Sequence, residues 1–165
     1  RLCRNLRNTK NIHKAASVHY SGLEIIADGP DGLEVSWINA DNPGAKVEAA
    51  YRELRRLVNN EEVAPGDIAV LVNGPAARTS FLEKSSGTNI PLTDAETMVL
   101  EDVVVDTVRR FKGLERPAII LIVSGDEMER RELAYVAFSR ARAYLCVVCS
   151  EDDARWLSDK KKCGD

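Results

Sequence analysis

Four stretches of the chain are almost wholly apolar: DIAVLV (67–72), DVVVDTV (102–108), AIILIV (118–123) and YLCVVC (144–149). Short continuous runs of this kind predict strands covered on both faces, where no polar alternation is needed. LEVSWI (33–38) is a weaker, fifth β-prone run. Between these runs the period changes. Asn42-Pro43 predicts a helix start, with a capping side chain followed by proline at the first helical position, where its missing N–H costs nothing. Behind it Val47, Ala50, Tyr51, Leu54, Leu57 and Val58 recur at helical spacing, with Arg52, Glu53, Arg55 and Arg56 on the opposite face. Shorter helices are predicted over about 76–86, with Gly87 as the stop, over about 128–142, and from about 151. Asn8 or Thr9 can cap one more helix near the start of the chain.

Apolar strands alternating with helices predict an α/β fold: a doubly wound, mostly parallel sheet with helices on both faces. At 165 residues the chain is expected to be a single domain. Ligands of such sheets sit beyond the carboxyl ends of the strands. Three junctions therefore draw attention: the N-terminal segment, the turn after DVVVDT, and the helix before YLCVVC.

Composition narrows the choices. Apolar residues make up 44 % of the chain and charged residues 30 %, a globular profile. The net charge of -3 excludes a domain that grips nucleic acid by overall charge alone, although a local patch remains open. No stretch reaches the ~20 apolar residues of a membrane span, and no signal peptide is visible. Cys146 and Cys149 form a C-x-x-C, but inside a strand they are expected to point to opposite faces. No second pair follows to complete a zinc site. With Cys3 and Cys163 they read as free thiols, which suits a reducing, cytoplasmic setting. No metal ligand set is assigned. The abrupt opening RLCRNLRNTKNI suggests a fragment of a longer protein, and the tail KKKCGD is expected to be solvated.

Charged groups stand out at the three junctions. Arg4, Arg7 and Lys10 recur every three residues. TVRRFKGLE (107–115) packs a lysine, an arginine pair and a glutamate into a turn at a strand end. YVAFSRARAYLCVV (135–148) is apolar except for Ser139, Arg140 and Arg142. A guanidinium does not lose its proton at physiological pH, so a buried one needs a carboxylate or a phosphate. Taken singly, a solvated helix start, a generic loop and a salt bridge to one of 26 acidic residues explain these features.

Together, in order, they resemble motifs IV, V and VI of superfamily 1 helicases of the UvrD/Rep type. Leu2, Asn5, Arg7-Asn8-Thr9 and Asn11-Ile12 match motif IV. Thr107 and Lys112-Gly113-Leu114-Glu115 match motif V. Tyr135-Val136-Ala137 and Ser139-Arg140-Ala141-Arg142 match motif VI. The resemblance implies the second RecA-like domain of an ATP-driven translocase, with ATP and Mg2+ held mainly by an N-terminal RecA-like domain. It implies Arg140 as arginine finger and Arg7 as a second γ-phosphate contact, roles worth ~10³–10⁵ in rate for comparable fingers. It also implies Glu115, Gly113, Lys112 and Arg142 near the nucleotide, and Thr107 and Arg109 near single-stranded DNA. The chain departs from the family at Leu6, where an adenine-stacking aromatic is usual, and at Arg109, where histidine is common. About 95 residues separate Ile12 from Thr107, too few for a large accessory domain.

The 165 residues contain no G-x-x-x-x-G-K-[ST] and no strand-end Asp-Glu pair. The expected function is thus the C-terminal motor domain of an ATP-dependent DNA helicase or translocase, unable to hydrolyse ATP alone. A catalytically silent helicase-like module for protein interaction or regulation is the alternative. An unrelated doubly wound domain binding an anionic small molecule would have to meet all three motifs by chance.

Overall fold

All five predicted β-prone runs enter one sheet. In the computed structural model, which describes residues 4–5, 7–20, 25–124 and 131–158, the chain begins with β1 (Arg4–Asn5), α1 (Lys10–Ser17) and β2 (Ile26–Ala27). It continues through β3 (Ser36–Asn39), α2 (Pro43–Asn59), a 3-10 turn at Pro65–Asp67, β4 (Ile68–Val72) and α3 (Pro75–Ser85). Then follow β5 (Leu92–Thr93), β6 (Val103–Thr107), β7 (Arg116–Ile122), α4 (Arg131–Phe138), β8 (Ala141–Cys149) and α5 (Glu151–Ser158). Leu2, Cys3, Leu6 and the KKKCGD tail lie outside the described residues, as does the start of the helix expected from about 128.

Six strands form an all-parallel sheet in the order β3-β8-β7-β4-β6-β5, and β1 and β2 form a separate parallel pair. β5 is only two residues long and has no apolar run to announce it. Successive residues of each central strand enter opposite cores, as the pleat requires. Ala69 and Leu71 pack with Ile12 of α1, Phe138 of α4 and Leu157 of α5. Ile68, Val70 and Val72 pack with Leu54 of α2 and Phe81 of α3. Each buried Val, Leu, Ile or Phe among them contributes about 1.5–3 kcal/mol, and covering both faces makes this the doubly wound α/β layer the pattern predicts. Cys146 joins the α2/α3 core and Cys149 the other, so their thiols face away from each other.

The predicted cap of α2 is present: Asn42 Oδ1 accepts from the Ala45 N–H at 2.8 Å. Gly87 follows α3 with φ +93°, the left-handed stop expected there. Glu53 departs from expectation. Placed by periodicity on the solvated face of α2, it is buried, and accepts from Arg56 Nε at 2.9 Å, Arg56 Nη2 at 2.8 Å and the Tyr144 hydroxyl at 2.6 Å. Desolvation works to raise its pKa, but these bonds outweigh it and hold the carboxyl below its ordinary value.

The larger correction concerns the segment before YLCVVC. The helix ends at Phe138, not near 142, and β8 starts at Ala141, three residues before the predicted strand. Ala141 pairs with Arg116 of β7 and is fully buried, so the sheet captures residues whose own preference is helical. Arg140 therefore lies in the turn between helix and strand, and Arg142 on the strand.

Candidate functional site

The parallel sheet sorts the predicted site residues onto its two edges. Glu115 immediately precedes β7, and Arg140 immediately precedes β8. Both lie at the amino edge. Arg116 and Arg140 are joined there by a backbone bond, Arg116 N–H to Arg140 O at 3.1 Å. Thr107 ends β6 in register with Val72, which is in register with Ile122. Ile122 is six residues along β7 from Arg116, so Thr107 stands about 20 Å from that edge at ~3.3 Å per residue. Thr107 and Arg109 thus stand at the carboxyl end of β6, the edge at which ligand junctions are expected, whereas Arg140 and Glu115 stand at the opposite edge. The chain returns between the edges through a turn carrying Lys112 and Gly113, both exposed, with Gly113 at φ +90°.

Arg140 is half-buried and, among the described residues, has no ion pair. Its Nη1 donates to the Leu114 carbonyl at 3.4 Å, and its buried Nε has no hydrogen-bond partner. Burial, then the nearby Arg7 charge, pull its pKa below the ordinary arginine value, with Glu115 opposing. Such a guanidinium is underpaired for its degree of burial. Arg7 faces it differently: its Nε lies 2.9 Å from Glu115 Oε2, and both side chains keep substantial exposure. Arg142 is exposed, and its carbonyl accepts from the Thr9 N–H at 3.2 Å.

At the carboxyl edge Thr107 is half-buried and Arg109 exposed. The neighbouring Arg110 is the structural member of the pair. It lies 2.6 Å from Glu96 and 3.6 Å from Asp106, whose fully buried carboxylate also accepts from Ala95 N–H at 2.9 Å and Thr107 N–H at 2.7 Å.

Sequence reasoning missed how the N-terminal segment is tied to Arg140. Thr9, not Asn8, occupies the N-cap position of α1, and it makes no side-chain cap bond. Asn8 instead donates through Nδ2 to the carbonyls of Ser139 (3.1 Å) and Ala141 (2.5 Å), the residues on either side of Arg140. Its place in R-N-T was legible, but its long-range partners were not. Among the described residues no cluster suited to a metal ion occurs, and no helix is long and apolar enough to cross a membrane.

Comparison with known proteins bears on the fold. Residues 102–148 match the family described as the UvrD-like helicase C-terminal domain. The chain is similar to the crystal structure of the C-terminal domain of a possible DNA helicase from Lactobacillus plantarum WCFS1, at 22% identity over 88% of each chain and a TM-score of 0.67. At that identity the likeness shows a shared fold, the RecA-like α/β layer. An Arterivirus nonstructural protein 10 helicase aligns at 18% identity over 82% of this chain and 29% of that one, with a TM-score of 0.29, too low to carry an argument. No curated protein matches the chain.

Proposed function

We propose, from the match of residues 102–148 to the UvrD-like helicase C-terminal domain, that the chain is the second motor domain of an ATP-dependent DNA helicase or translocase. In this reading Arg140 is the arginine finger, and Arg7 is a second contact to the γ-phosphate. The observation that carries it is the half-buried, unpaired state of Arg140 at the amino edge of the sheet. A planar guanidinium fork held in a site of reduced dielectric, without a carboxylate of its own, is suited to the charge that spreads over the γ-oxygens during transfer. Glu115 would orient Arg7, and Lys112, Gly113 and Arg142 would line the same cleft. Thr107 and Arg109, on the opposite edge, would meet single-stranded DNA.

ATP with Mg2+ would be held mainly by an N-terminal RecA-like domain carrying the phosphate loop that these 165 residues lack. The γ-phosphate would then pull two domains together through Arg7 and Arg140. The Arg7–Glu115 pair favours a second reading, a silent helicase-like interaction module, because it already neutralises one of the two cations. Steady-state assays separate them. The motor reading predicts no ATP turnover by the 165 residues alone and turnover stimulated by single-stranded DNA in the protein that includes the nucleotide-binding domain. Turnover by the isolated chain, or none in the longer protein, contradicts it.

A further inference from the structure

The side chain of Asn5 makes three described hydrogen bonds, each to a different part of the N-terminal segment. Its Oδ1 accepts from the Arg7 N–H at 2.9 Å. Its Nδ2 donates to Asn8 Oδ1 at 3.1 Å and meets His13 Nδ1 at 2.8 Å. Asn8 in turn spends its own amide hydrogens on the Ser139 and Ala141 carbonyls around Arg140. His13 Nε2 lies 2.9 Å from the Ile25 carbonyl.

The direction of every bond in this chain follows from its ends. Ser139 and Ala141 offer only acceptors, so Asn8 must present Nδ2 to them and Oδ1 to Asn5. Asn5 must then offer Nδ2 to Asn8 and keep Oδ1 for the Arg7 amide. The same Nδ2 reaches His13, whose Nδ1 must therefore be a bare acceptor. The Ile25 carbonyl requires the opposite at the other nitrogen, a proton on Nε2. Three independent termini demand one answer: a neutral, Nε2-protonated His13.

We propose that His13 is a positioning residue for Arg7. It acts through Asn5, which sets the Arg7 backbone, and through Asn8, which sets the turn bearing Arg140. The backbone segments that carry the two arginines are thereby held in one frame before any anion arrives. A side chain with no acceptor at the Nδ1 position would leave the Asn5 amide without this partner and release one end of the frame. Lys10, Lys14, Asp31, Tyr20 and Tyr135 share with His13 a cavity of about 680 Å³, and are the ionisable groups around it there. The functional weight of the frame rests on the reading of Arg7 and Arg140 as anion contacts, but its existence does not.

The test uses NMR on the 165-residue chain at pH 7, without nucleotide. The His13 ring should show the tautomer protonated at Nε2 alone. His13→Asn, which returns an acceptor near the Nδ1 position, should keep the hydrogen-exchange protection of the Arg7 amide. His13→Leu should lose it about tenfold. A ring protonated at Nδ1, or equal Arg7 protection in the two variants, overturns the proposal. Should the leucine variant fail to fold, the wild-type tautomer still decides. Because no phosphate is involved, a negative result here is separate from a failure of the motor reading, which would appear instead as ATP turnover indifferent to Arg140.

Discussion

Arg7 Nε sits 2.9 Å from Glu115 Oε2, while Arg140, the nearby guanidinium whose charge Arg7 opposes, has no carboxylate bonded to it among the described residues. One cation at the amino edge is thus supplied with a counter-ion and the other is left without. Both partners of the pair are well exposed, with side-chain accessibilities of 53% and 37%, so solvent screens it. Glu115→Gln is expected to change unfolding stability by less than about 1 kcal/mol. A larger loss in chemical denaturation would make the pair a structural element and weaken the case that its purpose lies in the cleft.

The buried carboxylate of Glu53, on the other face, behaves differently. Glu53→Gln removes the charge and turns one of the two accepting oxygens into an NH2 donor facing Arg56 or the Tyr144 hydroxyl, and should cost about 2 kcal/mol at pH 7. Because the folded carboxyl titrates below its ordinary value, this contribution is present above about pH 4.3, the unfolded value, and fades as pH falls through the lower folded one. Tyr144 has the opposite sign. Burial, then its bond to Glu53, push the phenol up to about 12. Its contribution is whole below about pH 10, the unfolded value, and is lost as pH rises through the folded one. Denaturation across pH should show both limbs in the wild type, and neither limb at full size in the double variant Glu53→Gln, Tyr144→Phe.

Two glycines should respond to alanine for different reasons. At Gly66 an added Cβ would lie 2.1 Å from the Leu100 carbonyl oxygen, so the backbone of the β5–β6 connection must move. Gly66→Ala is expected to destabilise by at least about 2 kcal/mol. At Gly113 there is open space, but φ is +90°. Gly113→Ala should cost about 1 kcal/mol through backbone strain alone. Equal costs at the two sites would count against the described approach of Leu100 to Gly66.

Cys146 and Cys149 should be inert in the folded chain. Desolvation pushes their thiols up to about 12 and about 11. In a chain carrying Cys3→Ser and Cys163→Ser, neither thiol should react with an aromatic disulfide reagent until denaturant is added. Prompt reaction of both, or tight zinc binding, would restore the C-x-x-C as a functional pair.

The strands of the fold were legible because burial on both faces leaves an unbroken apolar run, which β4, β6 and β7 all show. Residues 139–142 were not, since Ser-Arg-Ala-Arg reads as helix until Arg116 is known to pair with Ala141. The candidate site was legible as three motifs but not as a place. That Glu115 and Arg140 share the amino edge while Thr107 ends at the other follows only from strand order. Glu53 was misplaced because its burial depends on Tyr144, a strand residue that α2 covers, and no periodicity within α2 reveals it.

The central claim concerns Arg140, and ATP turnover is the direct test. Arg140→Ala, in the protein that includes the nucleotide-binding domain, should lower kcat by about 10³-fold or more with ATP affinity largely kept. Arg140→Lys should recover little of the loss, since an ammonium lacks the bidentate fork. A kcat unchanged by Arg140→Ala would contradict the account, and would return this half-buried guanidinium to a structural role.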